Sequence, residues 1–184
     1  MHITFEEISK NETIRTYIKK ADESLLALGY TEHSFPHVTR VAITARMILE
    51  KLGYPARDAE LAAIAGYMHD IGNVINRIDH AQSGAVMAFR ILDQMHCDTE
   101  EIATIITAIG NHDENTAFPV NPVAAALIIA DKCDVRYTRV RDKSTIGFDI
   151  HDRVNYAVKK STVIVDAAQK TICLDLNIDT TVCN

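Results

Sequence analysis

Residues 61–73 read LAAIAGYMHDIGN, a helical pattern that runs directly into a His-Asp pair. Ala62, Ala65, Gly66 and His69 fall at positions i, i+3, i+4 and i+7, so they share one face of a helix. Pro55 suits the first turn of this helix, which is predicted to run to about Gly72. The pattern therefore predicts that a face of small residues carries His69 into the protein core.

The segments on either side of this helix are also predicted to be amphipathic helices, joined by short connecting segments. Asn11 is a natural cap for the first of them, and Gly29 and Gly53 suit helix ends. The predicted helices cover residues 11–28, 36–53, 55–72, 80–95, 98–112, 121–138 and 150–160. With no internal repeat or flexible linker, residues 1–160 are predicted to form one all-α domain.

The C-terminal segment has a different period. STVIVD (161–166) and TICLDLNID (171–179) alternate apolar and polar residues around AAQK, which predicts a β-hairpin extension over residues 161–184. Since a lone hairpin is marginal in water, it is expected to pack on the helices or on a partner. The chain then ends in TTVCN with no closing element, as a truncated chain would.

Size and composition are those of a globular protein with a hydrophobic core. The chain has 184 residues, 47% of them hydrophobic, and a formal net charge of −6. The acidic balance argues against a nucleic-acid-binding surface, but not against a phosphate substrate, because metal ions can supply positive charge locally. Cys97, Cys133, Cys173 and Cys183 form no CxxC pair, which argues against structural zinc and a disulfide framework. No signal peptide or membrane-spanning run is evident, so a cytoplasmic location is expected.

Four predicted helices each carry a His or Asp on the face that is expected to enter the core. His37, His69, His112 and Asp131 hold these positions, and His80 aligns with Gly84 on its own helix, although it can also serve as a cap. A buried carboxylate among aliphatic groups is costly unless it is paired or bound to metal. Convergence on cations would satisfy all these residues together. Imidazole and carboxylate ligands suit iron, manganese, zinc or cobalt better than calcium.

Each of these residues has a plainer interpretation when taken alone. A single inward histidine is more often a hydrogen-bonded core residue, and Asp131 can be a buried partner of an arginine. The His-Asp dipeptide also occurs three times, at residues 69–70, 112–113 and 151–152. Position on a helix favours the first pair and predicts a capping or surface role for His151. The remaining histidines, His2, His33 and His96, lack an inward position.

The ordered set resembles the HD superfamily of metal-dependent phosphohydrolases. The matching residues are His37 in FPHVTRV, His69-Asp70 in GYMHDIGN, His80 in DHAQSGA, His112 in AIGNHDE and Asp131 in IIADKCD. The resemblance implies a helical bundle with His37, His69, Asp70 and Asp131 as the basic metal set. His80 and His112 match the two extra histidines of the dinuclear subgroup. That subgroup includes bacterial dinucleoside tetraphosphate hydrolases and HD-GYP cyclic dinucleotide phosphodiesterases.

The chain departs from the HD-GYP pattern, because Asn73 stands where HDIGK has lysine and no GYP motif is present. Cleavage of cyclic di-GMP is therefore not expected. The resemblance favours hydrolysis of a phosphate ester or anhydride, with a nucleotide preferred, by a hydroxide bound to two transition metals. Iron or manganese is favoured, and zinc, cobalt and nickel also suit the ligands.

The resemblance also implies roles for individual residues. Asp70 is expected to bridge the two metals, with His37, His69 and Asp131 completing one site and His80 and His112 the other. Arg40 and Lys132 are candidates for neutralising the substrate phosphate, against the equal alternative that they are solvated surface cations.

Two other functions stay open at this level. One is a non-catalytic module that binds a nucleotide in the same pocket and reports it to a partner through the hairpin. The other is a di-iron enzyme that reacts with oxygen. The sequence does not name the substrate, and a homodimer is as compatible with it as a monomer.

Overall fold

The helical bundle and the C-terminal hairpin are both present. The computed structural model describes residues 2–142, 144 and 150–182. The α-helices in these residues are α1 (Phe5–Lys10), α2 (Glu12–Ala27), α3 (Phe35–Lys51), α4 (Ala56–Met68), α5 (His80–Gln94), α6 (Thr99–Gly110), α7 (Pro122–Cys133) and α8 (Ile150–Ala157). Two 3₁₀ turns (Ile71–Val74 and Tyr137–Arg139) and the strands β1 (Val158–Asp166) and β2 (Thr171–Ile178) complete the description.

Side-chain caps explain where several helices begin. The carbonyl oxygen of the Asn11 side chain accepts hydrogen bonds from the first turn of α2, as predicted, and Asp98 and Asn121 do the same for α6 and α7. The short helix α1 was not predicted. It begins with a capping box in which Thr4 and Glu7 bond to each other's backbone, a signal present in the sequence.

Helix α4 lies at the centre of the bundle. Nearly all of its residues from Ala59 to Met68 are buried, and it packs against α1, α3, α6 and α7. A Cβ atom on Gly66 would lie 2.9 Å from the backbone Cα and N of Ala42 in α3. Only glycine allows this close crossing, which brings the C-terminal end of α4 next to the N-terminal end of α3.

A second close approach lies just beyond α4. The helix ends at Met68 rather than near Gly72, and a 3₁₀ turn over Ile71–Val74 follows it. A Cβ atom on Gly72 would collide with the backbone of His80 and Gly84, so glycine lets this turn lie directly against the start of α5. As a result, the residues that directly follow α4 lie next to His80.

Two further helices, near the C-terminal end of the chain, also end earlier than the sequence pattern predicted. The helix predicted over 121–138 ends at Cys133, because Asp134 leaves the helical conformation with φ −81° and ψ 66°. The helix predicted over 150–160 ends at Ala157 and β1 begins at Val158, so the predicted division after residue 160 falls inside that strand.

The hairpin packs on the helices of its own chain. Its strands are antiparallel, with Val163 opposite Leu174. Val163 and Val165 pack against the hydrophobic core, and β1 contacts α3 and α7. This is one of the two alternatives that the sequence left open. Cys183 and the end of the TTVCN stretch lie outside the described residues.

Across the described ranges, no helix combines the length and apolar character that a membrane span requires.

Candidate metal centre

The six predicted ligands converge at one end of the bundle. Each lies at or near a helix terminus, where a side chain can reach a neighbouring helix end. They are His37 in the first turn of α3, His69 and Asp70 just after α4, His80 as the first residue of α5, His112 just after α6, and Asp131 in the last turn of α7. The four histidines and Asp70 are at most 4% exposed.

The first group of ligand atoms comes from His37, His69, Asp70 and Asp131. The Nε2 atom of His37 lies 3.3 Å from that of His69 and 3.3 Å from Asp131 Oδ1. The Nε2 atom of His69 lies 3.2 Å from Asp70 Oδ2. Ligands about 2.0–2.2 Å from one metal ion are separated by distances of this order. The four side chains therefore outline one cation site.

The second group consists of His80, His112 and the other oxygen of Asp70. The Nε2 atoms of His80 and His112 lie 3.2 Å apart, and they lie 3.5 and 3.9 Å from Asp70 Oδ1. The two oxygens of Asp70 thus face different groups. His112 also has a ligand atom within 4.8 Å of His69 and Asp131, so it borders both groups.

Each histidine of the two groups is oriented through its second ring nitrogen. The Nδ1 atoms of His69, His80 and His112 donate to backbone carbonyls three residues earlier, at 2.8, 3.0 and 2.7 Å. The Nδ1 atom of His37 donates to Asp134 Oδ2 at 2.9 Å. These bonds orient each ring so that its Nε2 atom is directed at the centre, as in metal-binding histidines.

The oxygen Asp70 Oδ2 gives an independent test of fit. It is buried and has no hydrogen-bond partner of acceptable geometry within the described part of the chain, although His69 lies near it. A buried carboxylate oxygen without a partner is costly, and a cation would satisfy it. With the all-imidazole-and-carboxylate donor set, this favours a divalent transition metal.

Protonation differs between the two groups when no metal is bound. Burial alone would lower the pKa of His69, but the carboxylates of Asp70 and Asp131 raise it to about 10. Burial lowers the pKa of His112 to about 4 and also lowers that of His80, against the pull of Asp70. A proton on His69 thus balances charge in the first group, whereas the histidines of the second group are neutral and ready to bind metal.

These shifts predict how the stability of the metal-free protein depends on pH. The pKa values of His80, of His112 (about 4) and of the half-buried His33 (about 3) are lower than in the unfolded chain, near 6.5. Their contribution is complete above pH about 6.5 and is lost as the pH falls, because the unfolded chain then binds more protons. His69, with its pKa of about 10, has the opposite sign: its contribution is complete below pH about 6.5 and is lost as the pH rises.

We therefore expect the urea midpoint of the chelator-treated protein to be highest near pH 6.5–7. It should fall between pH 6.5 and pH 4.5, measured by circular dichroism. A midpoint that stays constant over that interval would contradict the assignment of neutral, buried histidines.

Asn73 supports the shared carboxylate and was missed as a positioning residue. It is buried, and its Nδ2 donates to Asp70 Oδ1 at 2.9 Å and to the Asp70 carbonyl at 3.0 Å. The sequence marked it only as a departure from the HDIGK pattern. Its spacing, three residues after Asp70 in a tight turn, was the available signal.

We expect Asn73→Ala to weaken metal binding by about 10- to 100-fold, a typical effect of removing a partner that orients a ligand. The loss should be larger for the ion next to His80 and His112, since Asn73 holds the oxygen that faces them. Titration of the apo protein with Mn²⁺ measures this. Asn76→Ala, an exposed position in the same loop, is the matched control; equal affinities in the two variants would show that Asn73 does not position Asp70.

Asp134 is a second supporting residue that the sequence analysis did not single out. It is 6% exposed, and His37 and Arg136 hold its pKa well below the usual range in spite of burial. Arg40 Nε donates to its Oδ1 at 3.1 Å. Arg40 is half-exposed and lines a separate depression beside the hairpin, so it lies outside the pocket in which it was expected to bind phosphate.

Four of the six predicted ligands, Asp70, His80, His112 and Asp131, line a pocket of about 540 Å³. Lys132 lines it as expected, with Nζ 2.9 Å from Asp131 Oδ2 and 3.8 Å from Glu114. His33 also lines it, with its ring edge-on to that of His37, which the sequence did not anticipate. From the third His-Asp pair, His151 is exposed as expected, but both it and the buried Asp152 line the same pocket.

Comparison with known families agrees with this geometry. The family model described as HD domain matches residues 34–137, more than half of the chain. The chain belongs to the HD-domain family. The matched segment contains all six predicted ligands, and the family places the chain among metal-dependent phosphohydrolases in general.

One protein and one solved structure are each similar to the chain at 26% identity. The chain is 26% identical to an uncharacterized protein of Methanocaldococcus jannaschii, over 94% of this chain and 74% of that protein. It also resembles the crystal structure of a predicted HD superfamily hydrolase from an uncultured Thermotogales bacterium, with a TM-score of 0.53 and 26% identity over 67% of each chain.

Proposed function

We propose that the protein is a dinuclear phosphohydrolase that cleaves a phosphate ester or anhydride, with a nucleotide as the favoured substrate class. The observation that carries the proposal is the split of Asp70 between two ligand groups, Oδ2 toward His37 and His69 and Oδ1 toward His80 and His112. A carboxylate in this arrangement suits a bridge between two cations. A mononuclear site would need only the first group.

The residues around the pocket support a hydrolytic role. Divalent metals held by these residues would supply Lewis acidity, which would polarise a phosphoryl oxygen and lower the pKa of water. Asp70 and the Nδ1-anchored histidines hold the ligand atoms in place. Lys132, whose pKa rises beside Asp131 against the effect of burial, keeps a positive charge at the pocket wall. The pocket volume of about 540 Å³ lies in the usual range for small-molecule sites.

Iron and manganese are the metals that we favour, and the ligand groups, imidazole and carboxylate without thiolate, are compatible with both. Zinc, cobalt and nickel suit the same ligands.

The test is a reconstitution experiment on the full chain. Protein stripped with chelator is loaded with Mn²⁺, with Fe²⁺ under anaerobic conditions, or with Zn²⁺, Co²⁺ or Ni²⁺. Phosphate release is then measured with nucleoside mono-, di- and triphosphates, dinucleoside polyphosphates and sugar phosphates. We expect release that depends on metal and is absent in the Asp70→Asn variant.

Other outcomes would contradict the proposal in distinguishable ways. Two bound metals and tight nucleotide binding without any phosphate release would favour the non-catalytic module. Oxygen consumption by the iron-loaded protein, again without phosphate release, would favour the di-iron enzyme.

A further inference from the structure

Arg77 stands out among the cations of the pocket by its partners. It lies between the 3₁₀ turn and α5 and lines the pocket beside the second ligand group. Within residues 2–142, 144 and 150–182, it forms no ion pair with a carboxylate. Its Nη1 is instead 3.4 Å from the amide oxygen of Asn73 and 3.4 Å from His80 Nε2, both uncharged acceptors.

The other two cationic side chains that line the pocket, Lys132 and Arg139, already have partners within the protein. Lys132 is paired with the carboxylates of Asp131 and Glu114. Arg139 is buried, and its Nε and Nη1 donate to the backbone carbonyls of Glu32 and Asp134. The charge of Arg77 is therefore the one most available to an anion from solvent.

The position of the guanidinium is also constrained. Its carbon lies 5.5 Å from the centre of the Tyr30 ring, within the range of a cation–π interaction. The backbone carbonyl of Arg77 accepts the Nδ1–H of His80 at 3.0 Å, so the same residue orients a metal ligand and places a cation beside it. Such fixed planar forks are well suited to oxyanions.

Metal binding would change the surroundings of Arg77. A metal ion on His80 takes the Nε2 lone pair that Arg77 contacts, and it places a second positive charge nearby. Two neighbouring cations repel each other unless an anion lies between them. A phosphoryl oxyanion in that position would satisfy both the metal and the guanidinium.

We infer that Arg77 binds the phosphoryl group of the substrate next to the second metal, in the place that the sequence assigned to Arg40. The inference rests on the proposed function for the dinuclear centre. It requires binding of a phosphate group but no turnover, so it can be tested without a known substrate.

The probe is inorganic phosphate, titrated by calorimetry into protein loaded with Mn²⁺. We expect Arg77→Gln to weaken phosphate binding by about 10- to 100-fold, the usual effect of losing a charge-assisted hydrogen bond. Arg77→Lys should restore part of the affinity, because it keeps the charge without the planar fork. Arg90→Gln, on an exposed position of α5, is the matched control and should bind phosphate like the wild type.

Metal content measured in the same samples separates substrate binding from a structural role. Arg77→Gln should keep the wild-type number of Mn²⁺ ions. Loss of an ion in that variant, unchanged phosphate affinity, or no phosphate binding by the loaded wild type would each overturn the inference. If the loaded wild type binds phosphate through Arg77 but releases none from any ester, the proposed function fails and the assignment of Arg77 stands.

Discussion

Replacing Asp70 by alanine should remove both metal ions and all metal-dependent phosphate release. Asp70 is the residue shared by the two ligand groups, and its side chain is 6% exposed. Partners that merely orient a ligand change metal affinity by about 10- to 100-fold, so losing the shared ligand should cost more than about 100-fold at each site. Elemental analysis measures the loss of bound metal, and Mn²⁺ titration measures the loss of affinity at each site.

Asp70→Asn is the more exacting variant, because it keeps the shape of the side chain and removes its charge. We expect it to fail in the same way. Asp93→Asn, on an exposed position of α5, is the matched control and should keep wild-type metal content and turnover. Two ions retained in Asp70→Asn would show that Asp70 does not bridge them.

The third His-Asp pair gives a further comparison. Helical position favoured His69-Asp70 over the other two pairs, and only that pair supplies both of its residues to the ligand groups. Asp152 nevertheless lies buried on the pocket wall, so Asp152→Ala can change turnover without Asp152 being a metal ligand. The metal content of this variant is therefore the measurement that tests the choice of ligands. Two ions are expected in that variant.

Much of the site was predictable because every predicted ligand except Asp70 lies on the inward face of its own predicted helix, and Asp70 directly follows His69. An inward stripe that includes His or Asp identifies the residue, and the burial cost of a carboxylate demands a partner. The prediction that these helix ends converge on one site came from the resemblance to the HD superfamily. In the structure, close backbone contacts at Gly66 and Gly72 bring the helix ends together.

The residues behind the ligands could not be predicted in this way. Periodicity assigns a face of a helix, but it does not say which residue of another segment lies opposite. Arg40 is one turn from His37, yet its Nε atom donates to the carboxylate of Asp134, which lies just beyond the end of α7 at Cys133. His33 precedes α3 in an irregular segment, where no helical period indicates the direction of a side chain.

The dinuclear centre itself depends on His80 and His112, and His80→Ala is the more specific of the two tests. His80 belongs only to the second group, with Asp70 and His112. Its removal should lower the metal content from two ions to one, while the remaining ion keeps close to its wild-type affinity. Phosphate release should fall by about 100-fold or more, since a paired Lewis acid contributes several kcal/mol.

His112→Ala should behave differently, because His112 borders both groups and its ring packs edge-on to that of His69, with centroids 4.8 Å apart. We expect it to retain one ion, bound more weakly than in His80→Ala. His2→Ala, whose side chain is 77% exposed, is the control for both and should keep two ions. Mn²⁺ titration with counting of ions per chain distinguishes the three variants. If His80→Ala and His112→Ala both keep the wild-type number of ions, the centre is either mononuclear or built from other ligands; in that case the HD-domain assignment stands and the two-metal function built on these residues does not.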